Sequence, residues 1–353
     1  MTKSKNIIFT GGGSGGHVIP AHTIINQIKN EYNIFYIGGI NSIEQRLALQ
    51  AGINFKPVSN GKLRRYLSFE NLTDIFKVLI GIMQSFIYLL RFNRKNTLIF
   101  STGGFVAVPV VIAAALQFKK ILIHEQTTRV GLANKVCSYF ADKVLVSFED
   151  SKCFFPDDKV IYSGYPVRKE IFIQKKKLEV FDDVKIPNDK KIFFITGGGN
   201  GSFLLNEFIK KNIGSLKDFF IIHQVGDKFI SEYSKLRNSS YRPVAFLGDE
   251  IIDIYKNAHI IMSRSGAGTV SELIALKKRS LFIPLKIAQK NEQYHNAITA
   301  KNLLGSVVIT EDELESIDLV KLLSSFETSV PENEEIHTNG LSRIISEIDK
   351  SFS

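Results

Sequence analysis

Short runs of β-branched and aromatic residues alternate with longer amphipathic stretches along almost the whole chain. In the first half the runs fall at 6–10, 34–37, 97–101, 120–123, 143–146 and 160–162. In the second they fall at 192–195, 219–223, 243–246, 259–262, 280–283 and 306–309. Apolar runs of this length, separated by helical stretches, predict parallel strands covered by helices on both faces. The scheme starts twice, so the class is α/β with two such sheets. Residues 164–191 between them are dense in charge, carry Pro166 and Pro187 and show no sustained period. The expected division is therefore a first domain over 1–165, a linker over 166–190 and a second domain over 191–334. In the tail, Ile336, Leu341, Ile344, Ile345 and Ile348 recur at helical spacing. They predict a final helix over about 335–353, which in such folds can return to the first domain.

The longest apolar region is IFKVLIGIMQSFIYLL, residues 75–90. It is shorter than the roughly 20 residues a membrane span needs and contains Lys77 and Gln84, so it reads as a helix. Ile75, Leu79, Ile82, Phe86 and Leu90 repeat along it, and Arg64, Arg65, Lys77, Arg91, Arg94 and Lys95 surround it. Two readings stay open: a core helix with charged ends, or an apolar face that lies on an anionic bilayer. The opening MTKSKNIIFTGG runs from a short basic start into a strand, without the apolar stretch and cleavage site of a signal peptide. An apolar share of 44% with 23% charged residues excludes a disordered chain. The excess of 45 Lys and Arg over 35 Asp and Glu favours anionic partners or reflects a lysine-rich surface. Cys137 and Cys153 are the only cysteines, which excludes a disulfide framework and fits a reducing compartment.

IIFTGGGSGGHVIPA (7–21) and IFFITGGGNGSFLLNE (192–207) each lead a strand through a glycine-rich turn into a helix. Such a turn leaves a row of free backbone N–H groups, and glycine lets an anion or another chain segment approach closely. One turn in each half predicts two nucleotide-type domains facing one cleft, a phosphorylated donor in one and an acceptor in the other. No acidic residue follows the first turn some 20 positions on, where 36–40 read YIGGI, which argues against NAD. His17 lies in the first helical turn, either as a base for a substrate hydroxyl or as a helix cap. STGGFVAVPVVIAAA (101–115) ends a strand in Gly103 and Gly104 and places Pro109 where a helix begins. ILIHEQTTRVGLANK (121–135) puts His124, Glu125 and Gln126 directly after a strand, where open α/β sheets bind ligands. Bonding within the loop is the plainer reading of that cluster.

The richest segment is MSRSGAGTVSELIALKKRSLFIPLKIAQKNEQYHNA, residues 262–297. A strand enters the turn SRSGAG and then a helix expected from about Thr269, whose N–H groups and dipole suit a diphosphate. Glu272, one turn in, suits the two hydroxyls of a ribose. Gln293 and Asn296, three apart on a later helix, share a face and suit sugar hydroxyls. Singly these are a capping carboxylate and a solvated face; together with the turn they point to a nucleotide-sugar site. No D-x-D pair stands near the turn, so amides and helix dipole are expected to act in place of a metal, with no cofactor.

GGGSGGHVIPA, GGFVAVP, HEQTTRVGLANK, GYPVR, GGGNGS and SRSGAGTVSEL followed by AQKNEQYHNA resemble, in order, the signatures of the MurG family of glycosyltransferases over about residues 7–300. The resemblance implies the GT-B architecture, two Rossmann-like domains with parallel sheets facing a central cleft. It implies inverting transfer of N-acetylglucosamine from UDP-GlcNAc to the C4 hydroxyl of the muramic sugar of lipid I, giving lipid II for peptidoglycan. Carried over residue by residue, His17 and Glu125 are catalytic. Ser14, Gly15, Gly16, Thr127, Asn134, Arg168, Gly199, Asn200, Gly248, Ser265, Gly266, Ala267, Gly268, Thr269, Val270, Ser271, Glu272, Gln293 and Asn296 surround UDP-GlcNAc. Gly103, Gly104, Phe105 and His124 fall on the acceptor side, and Ile75, Leu79, Ile82 and Phe86 at the membrane. The implied partners are UDP-GlcNAc, undecaprenyl-linked lipid I and the anionic cytoplasmic leaflet of the bacterial plasma membrane, where the protein would be peripheral; nucleic acid is not among them. Three places depart from the family pattern: Thr127 stands for Asn, Gly199 and Asn200 for Ser and Gln, and Phe105 for Tyr. Rival readings are a diacylglycerol glycosyltransferase, a UDP-GlcNAc epimerase, a non-catalytic membrane-recruiting subunit and an NAD-dependent oxidoreductase.

Overall fold

The computed structural model describes residues 4–61, 69–174, 176–331 and 340–353. They form two compact units, one of the residues up to Val167 together with those from Gly340 onward, the other of residues from Arg168 to Pro331. Arg64, Arg65, Ile336 and the start of the expected final helix lie outside the described residues.

The first unit is built on seven strands: β1 (Asn6–Thr10), β2 (Asn33–Gly38), β3 (Asn54–Pro57), β4 (Thr97–Ser101), β5 (Lys120–Glu125), β6 (Lys143–Val146) and β7 (Val160–Tyr162). All pair in parallel, in the order β3-β2-β1-β4-β5-β6-β7. Successive strand residues face opposite sides, and the sequence uses this to fill two cores. Ile8, Ile99 and Ile121 pack with Val110, Val111 and Ala114 on one side. Ile7, Phe9 and Leu98 pack with Ile24, Ile25 and Ile28 on the other. Helices α1 (Gly15–Ile28), α2 (Ile43–Gln50), α3 (Phe69–Leu89), α4 (Ala107–Leu116) and α5 (Leu132–Ser138) connect the strands. The C-terminal helix, Gly340–Lys350, buries Ile344 and Ile348 in the same core as Ile7. Its end is fixed by a hydrogen bond from Tyr32 to Asp349 and by the ring of Phe352 stacked on Tyr32 at 5.6 Å.

The second unit begins with a small antiparallel hairpin, β8 (Val180–Phe181) and β9 (Val184–Lys185), inside the segment expected to be a linker. Its sheet comprises β10 (Lys191–Thr196), β11 (Phe219–Gln224), β12 (Tyr241–Val244), β13 (Ile260–Ser263), β14 (Leu281–Phe282) and β15 (Val307–Val308), parallel and ordered β12-β11-β10-β13-β14-β15. The helices are α6 (Phe203–Asn212), α7 (Ile230–Tyr233), α8 (Ile251–Asn257), α9 (Ala267–Ala275), α10 (Glu292–Leu304), α11 (Glu311–Leu314) and α12 (Leu319–Ser324). In both sheets the chain order reverses beside the first strand, between β1 and β4 and between β10 and β13. Connections leave those neighbouring strands in opposite directions, and ligands of open α/β sheets bind in the crevice this opens at the carboxyl edge. The glycine-rich turns sit at these two points.

Helix α3 corrects the expectation for 75–90. It is apolar on both faces. Ile82, Phe86 and Leu89 pack in the core with α4, and Val78 is half-buried. Phe76, Ile80, Met83, Ile87 and Leu90 point to solvent; Phe76, Met83 and Ile87 are 59%, 58% and 62% exposed. Ile75 and Leu79 are exposed, whereas Ile82 and Phe86 are half-buried packing residues. A single repeat cannot choose a face when both are apolar. Among the described residues no helix is long and apolar enough to cross a membrane.

Candidate functional site

In the first unit three strand ends meet. After β1 the chain enters residues 11–14, and the loops after β4 and β5 lie alongside. Gly12 N–H donates to the Gly103 carbonyl at 3.1 Å. A Cβ on Gly104, whose φ is +85°, would collide with the Gly12 carbonyl, so the two loops touch only because residue 104 is glycine. Helix α1 then starts with Ser14 at its N-cap, which makes no side-chain cap bond, and with no acidic residue in its first turn. The N–H groups of Gly15 and Gly16 are left without the usual internal partner.

His17 is fixed by two acceptors on one side. Its Nδ1 lies 2.9 Å from the Thr102 carbonyl and 3.2 Å from Gln126 Oε1. The Gln126 amide is oriented by its other end: Nε2 donates to the His124 carbonyl at 2.9 Å and reaches His124 Nδ1 at 3.2 Å. His124 Nε2 in turn faces the Gly164 carbonyl at 3.4 Å and Ser147 Oγ at 3.1 Å. These partners assign the protons. Nδ1 of His17 meets only acceptors, so it carries a hydrogen, and in the neutral ring the lone pair then lies on Nε2. His124 is fully buried, and burial pushes its imidazole down to about 4. It is thus a neutral link behind His17 that does not itself reach solvent.

Glu125 is buried and its carboxylate is occupied by its own loop. Oε1 accepts from the Thr127 N–H at 3.1 Å and lies 3.0 Å from the Thr127 hydroxyl. Oε2 accepts from Asn134 Nδ2 at 3.0 Å and Gly131 N–H at 3.4 Å. Asn134 also donates to the His124 carbonyl at 3.2 Å. Glu125, Thr127 and Asn134 therefore hold the 126–131 loop in shape. Gly103 is buried, and Gly104 and Phe105 are partly exposed beside them.

In the second unit α9 begins at Ala267, two residues before the expected Thr269. Gly266 is its N-cap; no side chain caps it, and no acid stands in its first turn. Its leading N–H groups, at Ala267, Gly268 and Thr269, form the cradle that suits a diphosphate. Glu272 is buried one turn further on. Arg168 Nε and Nη2 both reach its Oε1 at 2.9 Å, and Arg168 Nη1 reaches Asp249 Oδ1 at 3.2 Å. Burial pushes the Glu272 carboxyl above its ordinary range, and the Arg168 guanidinium opposes that push. Gln293 Oε1 accepts from Leu285 N–H at 3.1 Å, which leaves its NH2 group to donate elsewhere.

Other expected residues face inward. Ser265 is fully buried; its hydroxyl donates to the Gln293 carbonyl at 2.7 Å, and its carbonyl accepts from Asn296 Nδ2 at 3.1 Å. Asn296 thus ties α10 to the turn, and Val270 belongs to the core. Ser271 is buried, and Gly248 is partly exposed in the loop leading to α8. Gly199 and Asn200 are exposed on the second glycine turn. There α6 is capped by its own Ser202, which accepts from the Leu205 N–H at 3.5 Å, and Arg264 Nη2 donates to Ser202 Oγ at 2.9 Å. Arg264 is also paired with Glu311 at 2.6 Å. Among the described residues no group of three or more His, Cys, Asp or Glu side chains is placed to hold a metal. Sequence reading passed over Glu44 and Tyr36, which lie beneath the first glycine turn. A single acid on an amphipathic helix and a tyrosine in a strand carry no motif.

These features are those of a sugar-nucleotide transferase fold. The N-terminal domain of glycosyltransferase family 28 matches residues 7–146 and its C-terminal domain matches residues 192–348, so the chain belongs to glycosyltransferase family 28. Within that family it is of MurG type. It is 37% identical over 342 residues to the UDP-N-acetylglucosamine–N-acetylmuramyl-(pentapeptide) pyrophosphoryl-undecaprenol N-acetylglucosamine transferase of Clostridium botulinum, covering 96% of this chain and 94% of that one. The crystal structure of Acinetobacter baumannii MurG superposes with a TM-score of 0.75 at 22% identity, over 98% of this chain and 99% of the other. A UDP-GlcNAc 2-epimerase from Neisseria meningitidis, bound to UDP-GlcNAc, shares the fold at a TM-score of 0.60 and 16% identity, over 98% and 100% of the two chains. The two Rossmann-like units are thus those of the GT-B fold, and the fold by itself does not separate transferase from epimerase.

Proposed function

We propose that this chain transfers N-acetylglucosamine from UDP-GlcNAc to lipid I, forming lipid II for peptidoglycan. The observation that carries the reading is the 37% identity along 96% of the chain to a relative of that name. The geometry within each unit supports the following residue roles. The C4 hydroxyl oxygen of the muramic sugar attacks the anomeric carbon of the donor sugar. The bond from that carbon to the phosphate oxygen breaks, and UDP leaves with the electron pair. The hydroxyl proton passes to Nε2 of His17, and the imidazolium so formed is stabilised by Nδ1–H donation to Thr102 and Gln126. Charge growing on the leaving diphosphate is met by the N–H groups that open α9 and by the helix dipole. Glu272, set by Arg168, receives the ribose hydroxyls, and the Gln293 NH2 donates to the sugar. Glu125 and Asn134 act by holding the acceptor loop.

The lipid acceptor requires a membrane surface, and the outer face of α3 supplies one. Phe76, Ile80, Met83, Ile87 and Leu90 form a continuous exposed apolar stripe, larger in kind than isolated surface residues. Each such side chain moved out of water contributes about 1.5–3 kcal/mol. Arg91, stacked on Tyr88 at 4.6 Å, lies beside the stripe to meet anionic headgroups, as does Lys77, which is already paired with Asp74 at 3.3 Å. Replacing Phe76 and Met83 by Lys is expected to abolish sedimentation with anionic vesicles and to leave UDP-GlcNAc binding intact. Unchanged sedimentation would remove α3 from this role.

The activity is tested with labelled UDP-GlcNAc and a lipid I analogue. Label appearing in the disaccharide lipid is the expected result. Label transferred only to diacylglycerol, or an epimerised sugar nucleotide formed without acceptor, would overturn it.

A further inference from the structure

The first glycine turn rests on a buried carboxylate that plays no part in the chemistry above. Glu44, near the start of α2, is 1% exposed. Its Oε2 accepts from the Gly13 N–H at 3.3 Å and its Oε1 from the Gly39 N–H at 3.1 Å. It therefore spans the loop after β1 and the loop after β2 from below. Tyr36, also buried, donates its hydroxyl to the Gly11 carbonyl at 2.6 Å. A Cβ on Gly12 would collide with the Glu44 carboxylate itself, so the turn lies directly on that group. The charge faces two backbone N–H groups, and no cation is paired with it at salt-bridge distance among the described residues. A buried carboxylate is costly unless it is hydrogen-bonded, and these two N–H groups supply such bonds.

We propose that Glu44 is a positioning residue: its carboxylate clamps the glycine turn that carries Ser14, Gly15, Gly16 and His17, and so sets where the His17 Nε2 lone pair points. The clamp also fills the Gly13 amide, so that this amide is closed to a substrate anion and the turn offers only those that follow it. Catalysis is sensitive to placement, a shift of about 1 Å costing on the order of a hundredfold. The inference rests on the transferase reading and concerns the first glycine turn alone. Glu44→Gln keeps the shape but turns one oxygen into a donor facing an N–H; Glu44→Ala removes the clamp.

Both variants, Gly12→Ala, and Gly12→Ala with Glu44→Ala are assayed beside the wild type with labelled UDP-GlcNAc and the lipid I analogue. Wild-type turnover confirms the underlying activity independently; its absence would sink that reading rather than this one. The expected result is a fall in kcat of at least about tenfold in E44Q and E44A, with KM for UDP-GlcNAc within about twofold and thermal midpoints that keep both variants folded at the assay temperature. Amide hydrogen exchange at Gly13 should quicken in both. Gly12→Ala alone should also be slow, and the double variant should stay slow, since relieving the collision does not restore the clamp. Recovery of the double variant to wild-type kcat would show that Glu44 only fills space. Wild-type kcat in E44Q and E44A, loss explained wholly by unfolding, or unchanged Gly13 exchange would each overturn the proposal.

Discussion

The two glycine turns look alike in sequence but end differently. After β1, the helix that follows has an N-terminus that no side chain caps. After β10, helix α6 is closed by Ser202, and Arg264 is bonded to the same hydroxyl. In the second unit α9, which follows the neighbouring strand β13, starts without a side-chain cap, as α8 and α10 also do. Both turns need glycine for packing: a Cβ on Gly201 would strike the Val225 carbonyl, as one on Gly104 would strike Gly12. Glycine therefore records close contact in both places, and an uncapped helix start in only one. What distinguishes them is whether the protein satisfies its own orphan amides or leaves them to a substrate.

The buried histidines repeat the contrast. His124 at the end of β5 is linked through Gln126 to His17. His223 in β11 is enclosed by Tyr241, at 2.9 Å from its Nδ1, and Asn206, at 3.1 Å from its Nε2, and reaches no site residue through them. Burial pushes it down to about 3.

The comparison can be broken most sharply at His17. His17→Ala should lower kcat by about 10²–10⁴-fold with little change in KM for UDP-GlcNAc; steady-state turnover checks this, and wild-type kcat would move the proton acceptor elsewhere. Next in size is acid. Both buried imidazoles titrate below the unfolded value of 6.5, so between pH 6.5 and about 4 the unfolded chain binds more protons. Stability is thus complete above about 6.5 and falls as pH drops, by about 2 kcal/mol for each histidine at pH 5. Urea midpoints at pH 7 and pH 5 measure it, and equal midpoints would mean that neither ring is held neutral. The smallest effects separate the two helix starts. Gly266→Asp supplies α9 with its own cap and should weaken UDP binding about tenfold through like-charge repulsion and filled amides. Ser202→Ala at α6 should cost about 1 kcal/mol of stability and leave UDP affinity unchanged. Calorimetry reads the first and thermal unfolding the second; the reverse pattern would place the nucleotide on the glycine turn of α6.

Much of this was legible because apolar runs buried on both faces have few other uses. The strands through Ile7, Leu98, Phe193 and Ile261 announce themselves. β3 does not: NFKP at the sheet edge is mostly exposed and carries no apolar run. The β8–β9 hairpin is two pairs of residues within a charged stretch. Among the candidate residues, His17, Glu272 and the turn before α9 stand out by residue type and place. The inward direction of Ser265 and Asn296 does not, since it depends on how α10 crosses the turn. Glu125 is legible as a polar residue at a strand end, while its engagement by Thr127, Gly131 and Asn134 appears only when the loop folds back. Glu44 is the extreme case, since its meaning lies in contacts 31 and 5 residues away.

The most direct measurement is a crystal structure of the protein with UDP-GlcNAc. The account predicts diphosphate oxygens within hydrogen-bonding distance of the Ala267, Gly268 and Thr269 amides and the ribose on Glu272. A diphosphate seated on residues 197–202 with the start of α9 empty would contradict it.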